Sequence, residues 1–472
     1  MEKVDFLRKK YPKFIYEKYS YEISGNNLEI FFDFNIEPGI YFQPKVIIEN
    51  VDKSRLAKIG DRILDNLIFN LGLMEIPSYW KATCSPEIIV TAGPLNREQI
   101  KWWKDLIING MGQFFYENKI NFRKPNFLNI STINAAGSRR DYAAGSRSDI
   151  LVPVGGGKDS VVTLEILKKA KKDIQCFSLN PTEAAERITK IAGCRSPIIV
   201  QRKIDEKLLK LNRQGFLNGH TPFSAYLAFL SVLCAAIFNY KYIAFSNERS
   251  SNEGNVKYLG KIINHQWSKS FEFEQKFRAY SKKYLTPHQK FGGGLEYFSF
   301  LRPLYEIQIA KLFSKYPKYF PAFLSCNVAY QTASGTKLPA KKWCGKCSKC
   351  LFTWACLYPF VNEKELLKIF KKNLFVDENL LPIMQELIGE RAFKPFECVG
   401  TKKESLIAFY LSWKKSRDRV STKLPFLLSY FEKKILPKYP NIEKESKKLL
   451  DSWNNQNNLS KEYEKILKDA AS

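Results

Sequence analysis

One segment constrains the fold of this chain more than any other: "LVPVGGGKDSVVTLEIL", residues 151–167. An apolar run typical of a buried strand leads into three consecutive glycines, and a helical pattern follows with Val161, Leu164 and Leu167 on one side. Glycines let backbone N–H groups approach an anion closely, and the N-terminus of a helix adds partial positive charge. The segment therefore predicts a strand, a loop that binds phosphate, and a helix.

The elements around this loop predict an α/β domain over residues 150–360. Helical stretches, of which the clearest is "SAYLAFLSVLCAAIFNY", separate five strand candidates: "DILVPV", "IQCFSL", "SPIIVQ", "YKYIAFS" and "FPAFLSC". Strands that alternate with helices imply a parallel sheet that binds ligands at the carboxyl ends of its strands.

The flanking regions have different patterns. Residues 1–130 predict a mixed α/β domain, because "YEISGNNLEIFFDFNI" forms two strands around a turn, "EIIVTAG" forms another, and Asn96 opens an amphipathic helix. Residues 131–149 contain the imperfect repeat "AAGSRRDYAAGSRSDI", which is small and polar and predicts a linker. Residues 361–472 are helical in pattern.

Two widespread phosphate-binding motifs do not fit the glycine loop. A Walker A loop needs glycine where Val152 stands and serine or threonine where Asp159 stands. The dinucleotide-binding motif needs a third glycine where Ser160 stands.

The loop does resemble the Ser-Gly-Gly-x-Asp-Ser loop of the PP-loop ATP pyrophosphatases, with Gly155 in place of the first serine. Those enzymes cleave ATP between the α- and β-phosphates and use the AMP to activate a carboxylate, amide or carbonyl oxygen. The resemblance continues through "FSLNP", "LNGHTPFSAYLAFL", "AFSNERSSNEGN" and "RPLYEIQIAKLF". It implies a parallel-sheet PP-loop core in which ATP is bound by Gly155, Gly156, Gly157, Lys158, Asp159, Ser160, Ser178, Asn180, Gly219, Thr221, Ser246 and Asn247.

Four cysteines near the end of this domain predict a metal site: Cys326, Cys344, Cys347 and Cys350. Two-residue spacers let thiolates from one turn face one ion, and a fourth thiolate from a strand end completes a tetrahedron. The pattern favours a structural Zn²⁺ and is similar to the cysteine motif of 7-cyano-7-deazaguanine synthase, another PP-loop enzyme. An iron–sulfur cluster that uses Cys356 is the alternative. The other cysteines lie apart in the sequence and are expected in the core: Cys84, Cys176, Cys194, Cys234 and Cys398.

Over residues 150–400 the chain resembles the ATP-dependent epimerases that act on UDP-N-acetylmuramoyl-L-alanyl-L-glutamate in peptidoglycan synthesis. The shared segments are "VPVGGGKDSVVTLE", "LNGHTPFSA", "SNERSSNEGN", "NHQWSKSFEFE", "WCGKCSKC" and "KPFECVG". The resemblance implies that the terminal L-Glu becomes D-Glu while ATP gives AMP and pyrophosphate. The tandem repeat has no counterpart in that family pattern.

This activity would give ATP a chemical purpose. Removal of an α-proton beside a free carboxylate builds a second negative charge, whereas adenylation removes the carboxylate charge and makes the carbonyl an electron sink. A base can then take the proton and return it on the other face. Cyclisation through the alanine carbonyl to an oxazolone would acidify the α-position further.

The matched motifs also supply catalytic candidates. Asp159 and Glu248 are expected to bind Mg²⁺, which takes few protein carboxylates together with phosphate oxygens. The candidate bases are His220, His265 and Glu248, although either histidine could instead be a structural hydrogen-bonding residue.

Four further residues leave two interpretations open. Lys269 and Arg278 either meet phosphate or carboxylate groups or lie on a solvated helix face. Glu397 and Cys398 either approach the substrate or form a packing turn, and packing is the favoured interpretation.

Composition narrows the classes of partner and location. Without a run of about 18 apolar residues or a secretory signal, the chain is expected to be cytoplasmic, with no membrane span. The formal charge of +28 suits an anionic partner, but the lysines are scattered and no RNA-binding module is recognisable. A small UDP-linked substrate is therefore favoured over nucleic acid. The alternatives are a tRNA-modifying PP-loop enzyme, a deazapurine nitrile synthase, and a non-enzymatic scaffold with an inactive loop.

Overall fold

The computed structural model of the chain describes residues 3–132, 147–286, 294–330, 341–418 and 423–472. Within them the strands are β1 (Lys13–Ser24), β2 (Asn27–Glu37), β3 (Ile40–Phe42), β4 (Lys45–Glu49), β5 (Glu87–Val90), β6 (Asn129–Thr132), β7 (Arg147–Pro153), β8 (Ile174–Leu179), β9 (Ile198–Lys203), β10 (Tyr240–Phe245), β11 (Val256–Tyr258), β12 (Lys261–Ile263) and β13 (Glu296–Ser299).

The α-helices of the described residues fall in three stretches of the chain. The first stretch contains α1 (Lys3–Lys10), α2 (Lys53–Ile59), α3 (Asp61–Trp80), α4 (Arg97–Gly110) and α5 (Gly112–Glu117). The second contains α6 (Lys158–Lys169), α7 (Glu183–Ala192), α8 (Glu206–Arg213), α9 (Phe223–Phe238), α10 (Phe271–Tyr280), α11 (Glu306–Phe313) and α12 (Asn327–Tyr330). The third contains α13 (Ser348–Leu357), α14 (Glu363–Phe370), α15 (Leu381–Ile388), α16 (Lys402–Arg417), α17 (Phe426–Tyr430), α18 (Ile442–Leu450) and α19 (Lys461–Ala471).

One large sheet organises the molecule. Its strand order is β13-β10-β7-β8-β9-β4-β2-β1-β5-β6, with β3 added beside β2. The five strands from β13 to β9 are parallel, and the order reverses between β7 and β10. In a sheet of this kind ligands bind beyond the carboxyl ends of the strands at such a reversal. The glycine loop follows β7 at this position.

The N-terminal strands extend the same sheet. Strand β4 pairs antiparallel with β9, with Lys45 opposite Lys203 and Ile48 opposite Val200. The regions predicted as separate domains at residues 1–130 and 150–360 thus share one continuous sheet. Two groups of buried apolar side chains cover it, one largely from the N-terminal region and α9, and the other reaching into the C-terminal helices.

Several local predictions can be compared directly with the structure. The turn between β1 and β2 and the helix opened by Asn96 are confirmed, since Asn96 Oδ1 accepts a hydrogen bond from the Gln99 N–H and completes a capping box. Four of the five strand candidates beyond residue 147 are also strands. The fifth, "FPAFLSC", is wrong, because a 3₁₀ turn at Pro317–Tyr319 leads into non-strand backbone there, and β13 supplies the fifth parallel strand.

Two further expectations concern the linker and the cysteines. Most of the predicted linker, residues 133–146, lies outside the described residues.

Cys176 on β8 and Cys194 after α7 were expected to be separate core thiols, which is wrong: they are joined as a disulfide with Cα atoms 6.0 Å apart. Among the described residues no helix combines the length and the apolar character needed to cross a membrane.

Candidate functional site

The glycine loop is packed on one side and open on the other. Gly156 has a φ of +93°, and a Cβ at this position would lie 3.0 Å from Ala184 Cβ and 3.1 Å from the backbone N of Ala185. Both the conformation and the available space therefore favour glycine. A Cβ at Gly155 would meet nothing within 4 Å. The loop ends at Gly157, which is the N-cap residue of α6.

Behind the loop lies a buried group of charges. Lys158 Nζ donates to Asp159 Oδ1 at 2.5 Å and to a carboxylate oxygen of Glu306. Lys349 Nζ donates to the other oxygen of Glu306 at 3.2 Å. Charges can be buried in this way because each faces an opposite charge.

Three helices begin at this group. Lys158 is the first residue of α6, Glu306 is the first residue of α11, and Lys349 lies in the first turn of α13. The N-terminus of each helix carries partial positive charge. At α11 and α13 the first N–H groups are already bonded, to Ser250 and Glu404 and to Glu397 respectively. The convergence of the three N-termini, together with the two lysines, favours the binding of a polyanion at this end of the sheet.

Glu248 completes a set of three carboxylates. It follows β10, and carboxylate oxygens of Asp159, Glu248 and Glu306 lie within 4.8 Å of one another. Arg302 holds the backbone at Glu248 in place. Its fully buried guanidinium donates to Glu248 O at 2.6 Å and to Glu274 Oε2 at 3.1 Å. Three carboxylates at this spacing are suitable ligands for a divalent cation such as Mg²⁺.

The two glutamates of this set have opposite pKa shifts. Burial raises the pKa of Glu248 to about 7, and the negative charge of Glu306 acts in the same direction. Burial would also raise the pKa of Glu306, but Lys158 and Lys349 outweigh it and lower that pKa to about 2. Glu306 is therefore ionised at neutral pH, whereas Glu248 is poised to gain or lose a proton.

A second group of polar side chains adjoins the carboxylates. Lys269 Nζ lies 3.3 Å from Cys398 Sγ, and this sulfur lies 4.0 Å from His265 Nε2. The ring centre of His220 lies 5.9 Å from that of His265. The structure thus brings both candidate histidines close to Lys269 and Cys398. These four residues and Asn255 are here called the thiol–imidazole cluster.

Asn255 determines the orientation of His265. Its Oδ1 accepts a hydrogen bond from the His265 backbone N–H at 3.0 Å and lies 3.2 Å from His265 Nδ1, while its Nδ2 donates to Pro395 O at 2.7 Å. Because Oδ1 can only accept, the imidazole proton resides on Nδ1. The unprotonated Nε2 therefore faces Cys398.

Both histidines are neutral near pH 7. Burial lowers the pKa of His265 to about 3, and the charges of Lys269 and Lys394 add to this effect. Burial also lowers the pKa of His220 to about 3, with further contributions from His265 and Lys81. Each ring can accept a proton, but so low a pKa makes it a weak base when it acts alone.

The four cysteines of the predicted metal site form a compact group. Sulfur–sulfur distances are 3.9 Å for Cys326–Cys347, 3.7 Å for Cys344–Cys350 and 3.5 Å for Cys347–Cys350. In a tetrahedral site with zinc–sulfur bonds of about 2.3 Å, the sulfurs are about 3.8 Å apart. Among the described residues, the thiols close enough to share one ion are these four, without Cys356.

Several residues assigned to ATP bond to neighbouring strands or to α6 instead of facing an open site. Ser178 Oγ donates to Val154 O at 2.9 Å, and Asn180 bonds to both backbone groups of Arg202. Ser246 Oγ lies 2.8 Å from Thr163 Oγ1, and Asn247 Nδ2 donates to Ser299 Oγ at 3.1 Å. In this structure these side chains hold the carboxyl ends of the strands in register around the loop.

The segment before α9 lies next to His220. Gly219 O accepts a hydrogen bond from Lys81 Nζ at 3.1 Å, and Thr221 O accepts one from the Phe223 N–H at 2.7 Å. Ser160, on α6, uses its Oγ to donate to Gly157 O at 2.9 Å. These contacts are local and leave their assignment to ATP as an expectation.

The structure shows the contacts of the four residues that had two interpretations: Lys269, Arg278, Glu397 and Cys398. Lys269 does not lie on a solvated helix face, since it ends a 3₁₀ turn before α10 and contacts Cys398. Arg278 donates to Tyr297 O. Glu397 Oε2 accepts from the Lys349 N–H at 2.6 Å, which supports a packing role at the start of α13. Cys398 faces charged and titratable groups, Lys269 and His265, and both interpretations stay open for it.

Sequence reasoning missed three residues that build the site. Glu306 lies in the segment "RPLYEIQIAKLF" and Lys349 lies in "WCGKCSKC". For both residues, the sequence signal of a role in the site was a charged side chain in the first turn of an apolar helix. Arg302 had the weaker signal of a lone arginine between apolar residues. None of the three is linked to the glycine loop by sequence spacing, because only tertiary packing brings them together.

A basic cleft opens beside the loop. It has a volume of about 930 Å³ and shares Ala184 and Tyr330 with the surroundings of Gly156. It is lined by six cationic side chains, Arg187, Lys341, Lys342, Lys368, Lys371 and Lys372, and by two acidic ones, Glu183 and Glu186, so positive charge is in excess. The cleft therefore has the size and charge for an anionic ligand.

Fold and site together define an α/β protein with a candidate anion-binding and metal-binding centre at the carboxyl ends of its parallel strands. Comparison of the sequence with known families is more specific. The MurL N-terminal domain matches residues 5–300 and the MurL C-terminal domain matches residues 322–433. The chain belongs to the MurL family.

Three curated relatives carry the same name, UDP-N-acetyl-alpha-D-muramoyl-L-alanyl-L-glutamate epimerase. The relative from a Micromonospora species is 35% identical over 358 residues, which cover 75% of each chain. The relative from Xanthomonas oryzae is 32% identical over 73% of this chain and 75% of its own. The relative from Salinispora tropica is 32% identical over 77% of this chain and 75% of its own.

Proposed function

We propose that the protein is an ATP-dependent epimerase of peptidoglycan precursor synthesis, which converts the terminal L-Glu of UDP-N-acetylmuramoyl-L-Ala-L-Glu to D-Glu. The observation that carries this proposal is the similarity to three relatives with that name over about three quarters of each chain. The protein is accordingly an isomerase that acts on a small nucleotide-linked dipeptide. The basic cleft beside the glycine loop suits the negative charge of such a substrate.

ATP enters the proposal through the chemistry of the reaction. An oxygen of the α-carboxylate of the terminal glutamate attacks the α-phosphorus of ATP. The mixed anhydride of this carboxylate and AMP forms, and pyrophosphate leaves. The Cα–H bond then breaks, and its electron pair moves into the activated carbonyl. After a proton returns to the opposite face, water cleaves the anhydride and releases AMP and the D-Glu product.

The converging helix N-termini support the ATP-binding role of the loop. Lys158 and Lys349 supply two positive charges behind the loop, where both contact Glu306, and Gly155 leaves open space for the close approach of a phosphate. The strand order around β7 and the loop after it also favour a PP-loop core. We assign the phosphates of ATP to the Gly155–Ser160 segment. Because the proposed reaction uses ATP, we also propose a cytoplasmic location for the protein.

Asp159, Glu248 and Glu306 fit a Mg²⁺ ion by donor type and spacing. When bound, Mg²⁺ would neutralise phosphate charge and favour departure of pyrophosphate. Lys158 and Lys349 keep Glu306 ionised for this role. A bound cation would also favour the ionised form of Glu248, against the effect of burial.

Cys326, Cys344, Cys347 and Cys350 fit a structural Zn²⁺. The four sulfurs have tetrahedral spacing, and three of these cysteines belong to the start of α13: Cys344 and Cys347 in the turn before it and Cys350 in its first turn. A closed four-thiolate site leaves no position for substrate, so its role is to fix this turn. Because the turn also carries Lys349, the metal would hold that lysine at Glu306.

The released anion tests the nucleotide chemistry. Purified protein with Mg²⁺, ATP and the UDP-linked dipeptide is expected to form AMP and pyrophosphate in amounts that depend on the dipeptide. Asp159→Asn is expected to lose this activity, whereas the matched variant Asp173→Asn, an exposed carboxylate before β8, is expected to retain it. Release of ADP and orthophosphate, or equal activity of both variants, would contradict the proposal.

A further inference from the structure

The thiol–imidazole cluster has the geometry of a proton-transfer site. Cys398 Sγ lies between Lys269 Nζ at 3.3 Å and His265 Nε2 at 4.0 Å. Lys269 places a positive charge next to the sulfur, and the thiolate is the reactive form of cysteine. His265 offers an unprotonated nitrogen on the other side of the same sulfur.

The surrounding contacts keep these groups in place. Asn255 bonds to His265 through Oδ1 and to Pro395 O through Nδ2, so it ties the imidazole to the segment that carries Cys398. Lys269 O in turn accepts a hydrogen bond from the buried Arg302 at 2.5 Å. A cysteine that served only to fill space would need neither a cation nor an oriented imidazole.

The cluster also lies next to the proposed adenylation site. Lys349 Nζ donates both to Cys398 O and to Glu306 Oε1, so one side chain links the cysteine to the carboxylate group. Lys269 also lies close to Glu248: burial lowers the pKa of this lysine, but Cys398 and Glu248 outweigh burial and raise that pKa. A substrate carboxylate activated near Glu306 would place its α-carbon within the reach of groups beside Lys349.

We propose that Cys398 is a catalytic residue that exchanges the α-proton on one face of the terminal glutamate, and this inference rests on the proposed epimerase function. The thiolate takes the proton, so that the Cα–H bond breaks, an S–H bond forms, and the electron pair moves into the activated carbonyl. His265 and Asn255 are positioning residues: Asn255 orients the imidazole, and the imidazole holds the sulfur in place through Nε2. The proton bound to sulfur then exchanges with solvent, which restores the thiolate. Inversion is completed when a solvent-derived proton reaches the opposite face.

The test compares two cysteine variants with the wild-type protein. Cys398→Ala is expected to lower the rate of D-Glu formation by about 100-fold or more, the usual contribution of one acid–base group. AMP and pyrophosphate are still expected, because adenylation does not need the thiol and water can cleave the unused anhydride. Cys234→Ala removes a buried thiol of α9 outside the cluster and is expected to epimerise like the wild type.

A second measurement covers the case in which Cys398→Ala does not fold. The wild-type protein is treated with iodoacetamide, and the alkylated cysteines are identified by mass spectrometry. Cys398 is expected to react faster than Cys234 and Cys356, the substrate is expected to protect it, and epimerisation is expected to decay with its labelling. Lys269→Gln is expected to slow the labelling, an effect that a packing role would not produce.

The outcomes separate this inference from the proposed function. A Cys398→Ala protein that forms D-Glu within threefold of the wild-type rate would overturn the role of Cys398 alone. Alkylation of Cys398 without loss of epimerisation would do the same. A wild-type protein that forms no D-Glu from the UDP-linked dipeptide would overturn the proposed function and the role of Cys398 with it.

Discussion

Lys158 and Glu306 form an ion pair between two side chains that are each 2% exposed, although 148 residues separate them in the sequence. The pair joins the start of the helix after the glycine loop to the start of α11. Removal of one partner from such a pair leaves the other as an uncompensated buried charge. The stability of the fold therefore depends on the same ion pair that holds the charged side chains behind the glycine loop.

Glu306→Gln is expected to destabilise the protein by about 3–5 kcal/mol, because Lys158 and Lys349 both lose their ionised partner. The matched control is Glu443→Gln, which removes a surface partner of Lys414 and is expected to leave stability unchanged. Urea unfolding of both variants checks the difference. Equal unfolding midpoints would show that the buried pair does not stabilise the fold.

Substitution of Gly156 by alanine is expected to cost about 1–3 kcal/mol, since its φ of +93° strains any residue with a Cβ and the added atom meets Ala184 and Ala185. Gly155→Ala is the matched variant, because its Cβ meets nothing within 4 Å. Thermal unfolding of the two proteins provides the measurement. A larger loss for Gly155→Ala would mean that the loop has another conformation.

One zinc ion per chain is expected from elemental analysis of the purified protein. Cys347→Ser is expected to lose the ion and to lower the melting temperature more than Cys234→Ser, because the closed site fixes the turn before α13. A strong chelator is expected to act in the same direction on the wild type. Iron with acid-labile sulfide would contradict this assignment in favour of a cluster.

His265 is expected to make stability depend on pH. Because the folded pKa of about 3 is below the unfolded value of about 6.5, the unfolded chain binds the proton first as pH falls. Stability is thus complete above pH 6.5 and declines by up to about 1.4 kcal/mol per pH unit below it. The groups that face the ring and oppose its protonation are Lys269, Lys349 and Lys394, with His220 and Cys398 beside it.

The measurement compares urea unfolding of the wild type and of His265→Gln between pH 4 and pH 7. The variant cannot take up this proton, so its stability is expected to fall less steeply with decreasing pH. Parallel curves for the two proteins would show that His265 does not titrate in this way.

The parallel half of the fold was largely predictable from the sequence, because apolar runs followed by helical patterns mark buried strands. The error at "FPAFLSC" has a physical cause: a short apolar run is also what a buried non-strand segment needs, and periodicity cannot distinguish the two. The pairing of β4 with β9 was not predictable, since antiparallel contacts between distant strands leave no local pattern.

The candidate site was predictable where its residues follow a strand. Asp159 and Glu248 came from the ends of β7 and β10, which meet at the reversal of strand order. Glu306 and Lys349 come from helices far along the chain, so no spacing relates them to the loop. For Cys398 the sequence offered one thiol in a turn, and only its position between Lys269 and His265 distinguishes it from a core residue.

Incorporation of solvent deuterium at the α-carbon tests the central claim most directly. The protein would be incubated in D₂O with Mg²⁺, ATP and UDP-N-acetylmuramoyl-L-Ala-L-Glu, and the terminal residue would be analysed for configuration and mass. The account predicts D-Glu with one α-deuterium, formed together with AMP and pyrophosphate and absent without ATP. D-Glu without deuterium, or cleavage of ATP with the glutamate unchanged in both configuration and mass, would contradict it.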